Sequence, residues 1–268
     1  MKISIITINR NNLPGLLKTM HSVLRQTSDC YEWIVIDGGS TDGSADLLRQ
    51  NSAHLAYWVS EPDHGIYHAM NKGIDAAAGD YLHFLNSGDA YADDSVLESL
   101  LNLNPSADVI YGNAIFVDKN DQEVSRHPAP DRIRISHFWH RGGVNHQATF
   151  FSKRCFDVYR YNETNRIASD TELFIHLLYH GYSFQKWDYY VDRFEVGGIS
   201  SVVQPGGDQE FESIIQRILP PGIKADYDEI IQFRDVDLYQ TVRRIIESPR
   251  WVRNLARIAL LPFSLFLK

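Results

Sequence analysis

Two cysteines, Cys30 and Cys155, are all that the 268 residues contain, and neither lies in a CxxC or Cys/His cluster. A disulfide framework and a structural zinc site are thereby excluded, and the thiol content fits a reducing compartment. Long apolar runs are also missing, since no stretch reaches the roughly 18 residues that a membrane span requires. The opening MKISIITINRNN carries a charge at Lys2, but its apolar run is too short and too β-branched for a signal peptide. We therefore expect a cytoplasmic chain that neither enters the secretory route nor spans a membrane. Excess basic charge is lacking too. Lys and Arg number 26 against 34 Asp and Glu, for a net charge of -8, so nucleic acid is not an expected partner. Finally, no GxGxxG follows either early strand, which argues against an NAD-binding oxidoreductase. No glycine-rich phosphate loop with an early Arg or Lys follows the first strand, which weakens a nucleotidyltransferase reading.

What the sequence does contain is a β-α-β-α opening. Ile3, Ile5, Ile6 and Ile8 form a β-branched run bounded by Asn9 to Asn12, the signature of a buried strand. Leu13, Leu16, Leu17, Met20, Val23 and Leu24 then recur at the three- and four-residue spacing of one helix face. A second strand, Trp33 to Ile36, breaks at Asp37-Gly38-Gly39-Ser40-Thr41-Asp42-Gly43-Ser44, where glycines permit tight turns and Ser and Asp cap a helix. Further along, strands are expected at His54 to Val59, Tyr81 to Leu85, Val109 to Tyr111, Ala148 to Phe151 and, as a last short one, Phe184 to Tyr190. Helices are expected at Ile66 to Ala78, Asp93 to Leu103 and Thr171 to His180, with a hairpin pairing Ala114–Val117 to Glu123–Arg126. Residues 127 to 143 read as a long loop with some helix. Gln204 to Asp208 reads as a Pro/Gly linker, and the remainder as mainly helical. Length and a 44% apolar content suit one large α/β domain, residues 1–203, with a helical extension over 204–268.

Three acids stand at strand ends or just beyond them: Asp37, Asp63 and Asp89. In an open α/β sheet such ends converge on a ligand crevice. A nucleotide-sugar donor needs a polar partner for its base and a divalent cation for its diphosphate, and hard carboxylate oxygens suit magnesium or manganese. Each acid has a plainer alternative, since Asp is also a turn and cap residue.

The blocks ISIITINRN at the start, IDGGSTDGS at 36–44, DHGIYHAMNKGIDAAAGDYLHFLNSGD at 63–89 and SDTELFIHL at 169–177 have an order and spacing more specific than any one of them. Over roughly residues 1–200 the chain resembles the inverting, nucleotide-sugar-dependent glycosyltransferases of family 2. The resemblance implies an α/β fold of the GT-A type, a Rossmann-like, mixed and mainly parallel sheet flanked by helices. It implies that Thr7, Asn9, Asp37 and Gly38 lie around the nucleoside, with Asp37 facing the base. Asp63 and Lys72 would lie beside the nucleotide or its ribose, with Ser87 on the donor side.

By the same resemblance Asp89 is the metal ligand for Mg2+ or Mn2+, although Asn86, Ser87 and Gly88 stand where many relatives carry further acids. Asp170 is the implied catalytic base, with Glu172 its competitor; local sequence is equally consistent with Asp170 as a helix N-cap. His146 and Gln147, in GGVNHQATFF, are acceptor-side candidates together with Glu172, with Gly142 and Gly143 allowing close backbone approach. A lone His is also at home as a satisfied core residue. Gly197 to Ser201 is expected near the diphosphate or as a domain-ending loop.

The implied reaction is a single displacement with inversion, from a nucleoside-diphosphate sugar, UDP being the best first guess, to a hydroxyl of a saccharide or lipid-linked acceptor in surface polysaccharide synthesis. The alternative is a nucleotide-sugar-binding or scaffold protein without turnover. The terminal RWVRNLARIALLPFSLFLK mixes Arg and Lys with Trp, Leu, Ile and Phe, so it reads either as an interfacial membrane helix on the cytoplasmic face or as a helix packed on protein.

Overall fold

In the computed structural model the described residues are 1–138, 144–197 and 207–234. The chain divides into two compact units, Met1–Ile214 and Ile215–Lys268. The expected boundary at 203/204, the 204–208 linker up to residue 206, Gly142, Gly143, the 198–201 part of the Gly-Ser segment and the terminal basic-apolar segment lie outside the described residues.

The first unit is built on a sheet whose opening strands are β1 (Ile3–Asn9), β2 (Tyr31–Asp37), β3 (Tyr57–Ser60) and β4 (Tyr81–Phe84), all parallel, in the order β3-β2-β1-β4. These strands are runs of Ile, Val, Leu and aromatic residues because a parallel sheet covered on both faces buries alternate side chains on either side. Beyond β4 the sheet becomes mixed. β8 (Thr149–Ser152) is antiparallel to both β4 and β6 (Val109–Val117), β9 (Phe184–Glu195) is parallel to β6, and β5 (Ala90–Tyr91) is antiparallel to β9. β7 (Glu123–His127) forms the expected hairpin with β6.

The helices are α1 (Leu13–Leu24), α2 (Ser44–Gln50), α3 (Ile66–Ala76), α4 (Val96–Leu103), α5 (Ile135–Phe138), α6 (Cys155–Val158) and α7 (Ser169–Tyr179). α8 (Gly207–Ile218) begins in the first unit, and α9 (Pro221–Arg234) belongs to the second. Leu16, Met20 and Val23 of α1 bury against Ile3, Ile5, Trp33 and Val35, as the spacing of the apolar positions requires. α3 crosses the sheet closely at Gly73, where Ile6 leaves no room for a Cβ. Among the described residues no helix is long and apolar enough to cross a membrane.

Several boundaries differ from expectation. His54 belongs to a short 3-10 turn, Ser52–His54, so β3 starts only at Tyr57. The expected strand at 109–111 and the first hairpin arm are one strand, β6, which a register shift near Asn113 carries past Gly112. The last strand is not short: β9 continues to Glu195, because β6 pairs with it as far as Val117↔Glu195. β5 and α6 are too brief to announce themselves by periodicity.

Two histidines are packed into this framework as neutral groups. His83 stacks on Phe150 at 4.1 Å, with Tyr91 Oη 3.0 Å from Nδ1 and the Gln147 carbonyl 2.8 Å from Nε2. Burial pushes its pKa down to about 4 and that of His146 down to about 3. A lowered histidine contributes stability that is present above the unfolded value near 6.5 and is lost as pH falls toward the folded value. The stability advantage of wild type over His83→Gln, measured by urea unfolding, is therefore expected to narrow by about 2 kcal/mol between pH 7 and pH 5. A constant difference would contradict a neutral, buried His83.

Candidate active site

The carboxyl ends of β1, β2 and β3 stop in one row, Asn9↔Asp37↔Ser60. Asp37 is wholly buried, and an ionised carboxylate there must collect hydrogen bonds. It accepts from Asn9 Nδ2 at 2.7 Å, Ser60 Oγ at 2.6 Å, Ser40 Oγ at 2.6 Å and the Ser40 amide at 2.9 Å. Asp37 thus shapes the loop that closes this end of the sheet, at the place where the base is expected. Thr7 is wholly buried, donating to the Leu85 carbonyl at 2.8 Å and accepting from Trp33 Nε1 at 3.0 Å, so it fastens the sheet from within. Asn9 Oδ1 and Asn86 Oδ1 are buried acceptors without a hydrogen-bond partner among the described residues.

Asp63 approaches this row from the loop after β3. A Cβ at Gly38 would meet Asp63 Oδ2 at 3.2 Å and Arg10 Cδ at 3.4 Å, so the missing side chain at Gly38 makes space for the Asp63 carboxylate. Asp63 Oδ1 accepts from Lys72 Nζ at 2.7 Å and lies 3.2 Å from His68 Nδ1. Lys72 also pairs with Glu61 at 2.7 Å. Partial burial opposes the Lys72 charge, but its bonds to Asp63 and Glu61 prevail and raise its pKa. Asp63, Lys72 and Gly38 are thus brought together as expected. His68 is a member that the sequence reading missed, although it sits four residues before Lys72 on the same helix face.

Segment 86–89 runs beside α1. Ser87 donates to the Asn12 carbonyl at 3.2 Å and accepts Asn12 Nδ2 on its own carbonyl, while Thr19 Oγ1 donates to the Asp89 carbonyl at 2.7 Å. Asp89 is 5% exposed, and this burial raises its carboxyl to about 7 against the opposing effects of the Glu195 amide, 3.1 Å from Oδ1, and Lys18. Behind it lies Asp192 of β9, wholly buried, both oxygens without a hydrogen-bond partner among the described residues. Burial first, then the neighbouring Asp89, pushes its pKa well up. Asp192 faces Tyr91 across the β5–β9 pair, which makes it a diagonal neighbour of Asp89.

Among the described residues no three His, Cys, Asp or Glu groups converge as a preformed metal cluster. The orphaned Asp192 oxygens beside Asp89 nevertheless leave hard oxygen donors unsatisfied, which suits a magnesium-like ion held largely by water and phosphate, whose charge would favour ionisation of both carboxyls. Asp192 is not singled out by WDYYVDRFE, a strand in which charged and aromatic residues are mixed, so nothing local shows which acid turns inward.

His146 and Gln147 separate. His146 enters an aromatic cluster with Phe84, Phe151 and Tyr161, its Nε2 2.6 Å from Tyr161 Oη, which is the core setting. Gln147 instead directs its side-chain amide to Asp89. Glu172, 7% exposed, accepts from Asn162 Nδ2 at 3.3 Å and Asn165 Nδ2 at 2.5 Å and so clamps the preceding loop. Asp170 is not the N-cap of α7, which is Ala168, but a first-turn residue whose Oδ1 accepts from the Thr171 amide at 2.8 Å. Burial raises its pKa to about 6 although neighbouring amides and Tyr67 pull the other way.

A parallel sheet with a mixed far half, loops gathered at its strand ends and paired acids at that edge together define the GT-A glycosyltransferase class. The chain belongs to glycosyl transferase family 2, whose model matches residues 4–169, and it is a glycosyltransferase. An uncharacterized glycosyltransferase of Mycobacterium tuberculosis is 37% identical over 179 residues, covering 65% of this chain and 67% of that protein. A PGL/p-HBAD biosynthesis glycosyltransferase of Mycobacterium bovis is 29% identical over 174 residues, covering 62% and 66%. These alignments thus span about two thirds of the relatives' lengths. In fold, S. aureus TarS 1-349 in complex with UDP-GlcNAc superimposes with a TM-score of 0.65 at 16% identity, over 81% of this chain and 65% of that one.

A raised carboxyl contributes stability that is present below the unfolded value near 4 and is lost as pH rises through the folded value. Asp89→Asn removes that loss. Its stability relative to wild type is expected to rise by roughly 2 to 3 kcal/mol between pH 5 and pH 8 in metal-free urea unfolding. No gain would show that Asp89 ionises freely.

Proposed function

We propose that the chain transfers a sugar, with inversion, from a nucleoside-diphosphate sugar to a hydroxyl of a saccharide or lipid-linked acceptor in surface polysaccharide or glycolipid synthesis. The observation that carries this is Asp170: a partly exposed carboxyl at the mouth of a helix, with a pKa raised to about 6, which suits a general base working near neutral pH. Asp170 takes the proton of the acceptor hydroxyl as that oxygen attacks the anomeric carbon, and the nucleoside diphosphate leaves. The Asn9 and Asn86 acceptors, with Asp63 and Lys72, hold the nucleoside and ribose; Lys72 adds positive charge at that edge.

Asp89, backed by Asp192, would hold Mg2+ or Mn2+. When bound, the ion supplies charge stabilisation to the leaving diphosphate. UDP is the first nucleotide to test, because the S. aureus TarS structures hold UDP-GlcNAc and UDP. A mannosyltransferase from Pyrobaculum calidifontis, similar in fold with a TM-score of 0.55, is instead complexed with GDP-Man and Mn2+. The saccharide or lipid-linked acceptor is supported by the names of the M. bovis relative and of a putative teichuronic acid biosynthesis glycosyltransferase, TuaG, of Bacillus subtilis, 35% identical over 103 residues covering 37% of this chain and 40% of that one. The basic and apolar residues 250–268 are read as a peripheral contact with the cytoplasmic face of the membrane, where a lipid-linked acceptor would lie.

A thermal-shift screen of UDP, GDP, dTDP and CMP and their sugars, with and without Mg2+ or Mn2+, should find one nucleotide that stabilises the chain, more weakly in Asp89→Ala. With that donor, Asp170→Asn should lose about 10²- to 10⁴-fold in turnover while retaining nucleotide binding, and wild-type kcat/KM should rise with an acid limb near pH 6. Nucleotide binding without turnover in the wild type would support the scaffold alternative.

A further inference from the structure

Helix α7 begins in an unusual electrostatic setting that the donor-site residues do not explain. The three backbone amides that lead into it, from Arg166, Ile167 and Ala168, all donate to one carboxylate, that of Glu210 on α8, at 3.0, 3.0 and 2.8 Å. Consecutive amides converging on an anion form a nest, and here the anion comes from the chain itself. Ala168, the N-cap, has no side chain to bond the first amides of α7, and Glu210, from a distant point in the sequence, holds instead the three amides just before the helix.

On the other side of the same turn stands Tyr67. Its ring is 5% exposed and stacks on Tyr161 at 5.7 Å, and its phenol oxygen faces the Ser169 and Asp170 amides and the Asp170 carboxyl group. One turn along α3, Asn71 donates to the Tyr161 carbonyl at 2.9 Å and accepts from the Tyr161 amide at 3.0 Å. Tyr161 is fixed in turn by His146, 2.6 Å from its hydroxyl. α3 thus carries His68 and Lys72 toward Asp63, Tyr67 toward Asp170 and Asn71 toward the Tyr161 backbone.

We propose that Glu210 and Tyr67 are positioning residues for Asp170, Glu210 by gathering the amides that lead into α7 and Tyr67 by seating its phenol against the first turn. The proposal rests on the reading of Asp170 as the base. Neither residue touches a reacting atom in this account; they act through Asp170. Their electrical effects on it are opposite. Burial is the largest cause of the raised Asp170 pKa, the Glu210 charge adds to it, and hydrogen bonding from Tyr67 reduces it. Among the described residues, further titratable groups near Asp170 are Tyr161, whose phenol feels its charge, and Glu172 two residues along α7, which bonds Asn162 and Asn165.

The test is a carboxyl-carbon NMR titration of the full chain labelled with 13C-aspartate, the Asp170 signal being assigned by its loss in Asp170→Asn. The wild-type midpoint is expected near 6. Glu210→Gln should move it to lower pH and Tyr67→Phe to higher pH, in chains whose near-ultraviolet circular dichroism is unchanged. A role confined to packing would leave both midpoints in place. An unmoved midpoint in either folded variant, or shifts of the same sign, overturns the proposal. Tyr67→Phe removes a single oxygen and keeps the test decisive where Glu210→Gln does not fold. The titration needs no donor, so its failure is separate from failure of the functional reading, which would appear as undiminished turnover in Asp170→Asn.

Discussion

The burial of the Asp37 carboxylate is the constraint on which the strand-end edge of this molecule depends. A carboxylate placed at the end of a central parallel strand with no access to water is costly unless donors surround it. The chain meets that demand from three directions: Asn9 at the end of β1, Ser60 at the end of β3, and Ser40 in the loop that follows Asp37 itself. Because those residues stand in register, the charge ties the ends of three strands and the start of the 38–43 loop into one edge. Glycines follow for a stated reason. Gly39 and Gly43 have φ of 72° and 99°, which that turn needs, and Gly38 leaves its side-chain volume to Asp63.

The first half of this architecture was legible because the signals are local. The isoleucines of β1, the apolar stripe of α1 and the DGGSTDGS turn each encode an element within a dozen residues, and parallel strands separated by helices follow from their succession. The second half was read less well, for physical reasons. β9 looks short because its distal part, DRFE, is stabilised by pairing with β6 rather than by its own composition. β5 is two residues held by a long-range partner.

In the candidate site, the sequence says which blocks stand at the strand ends and less about which way each side chain turns. Asp37 and Thr7, expected around the nucleoside, have side chains bonded within the sheet and its loops; His146 and Gln147, adjacent in sequence, diverge into the core and toward Asp89. Neighbouring strand or turn positions point to opposite sides, so a motif locates a residue pair without assigning the faces. Tyr67, Asp192 and Glu210 went unread for a related reason. Their roles come from groups far along the chain: the start of α7 for Tyr67 and Glu210, and Asp89 for Asp192. What joins these pieces is α3, one helix that carries Lys72 toward the Asp63 carboxylate and Tyr67 toward Asp170.

The central claim is that the edge formed by the ends of β1 to β4 is where a nucleotide sits. Hydrogen–deuterium exchange of the full chain with and without UDP and Mg2+ tests it most directly, since it requires knowledge of neither the sugar nor the acceptor. The account predicts new protection in peptides covering Asn9–Asn12, Gly38–Thr41, Glu61–Gly65 and Asn86–Asp89, with GDP or another nucleotide giving the same map should UDP not bind. Protection confined to other segments, with these four unchanged under a nucleotide that demonstrably binds, would contradict it.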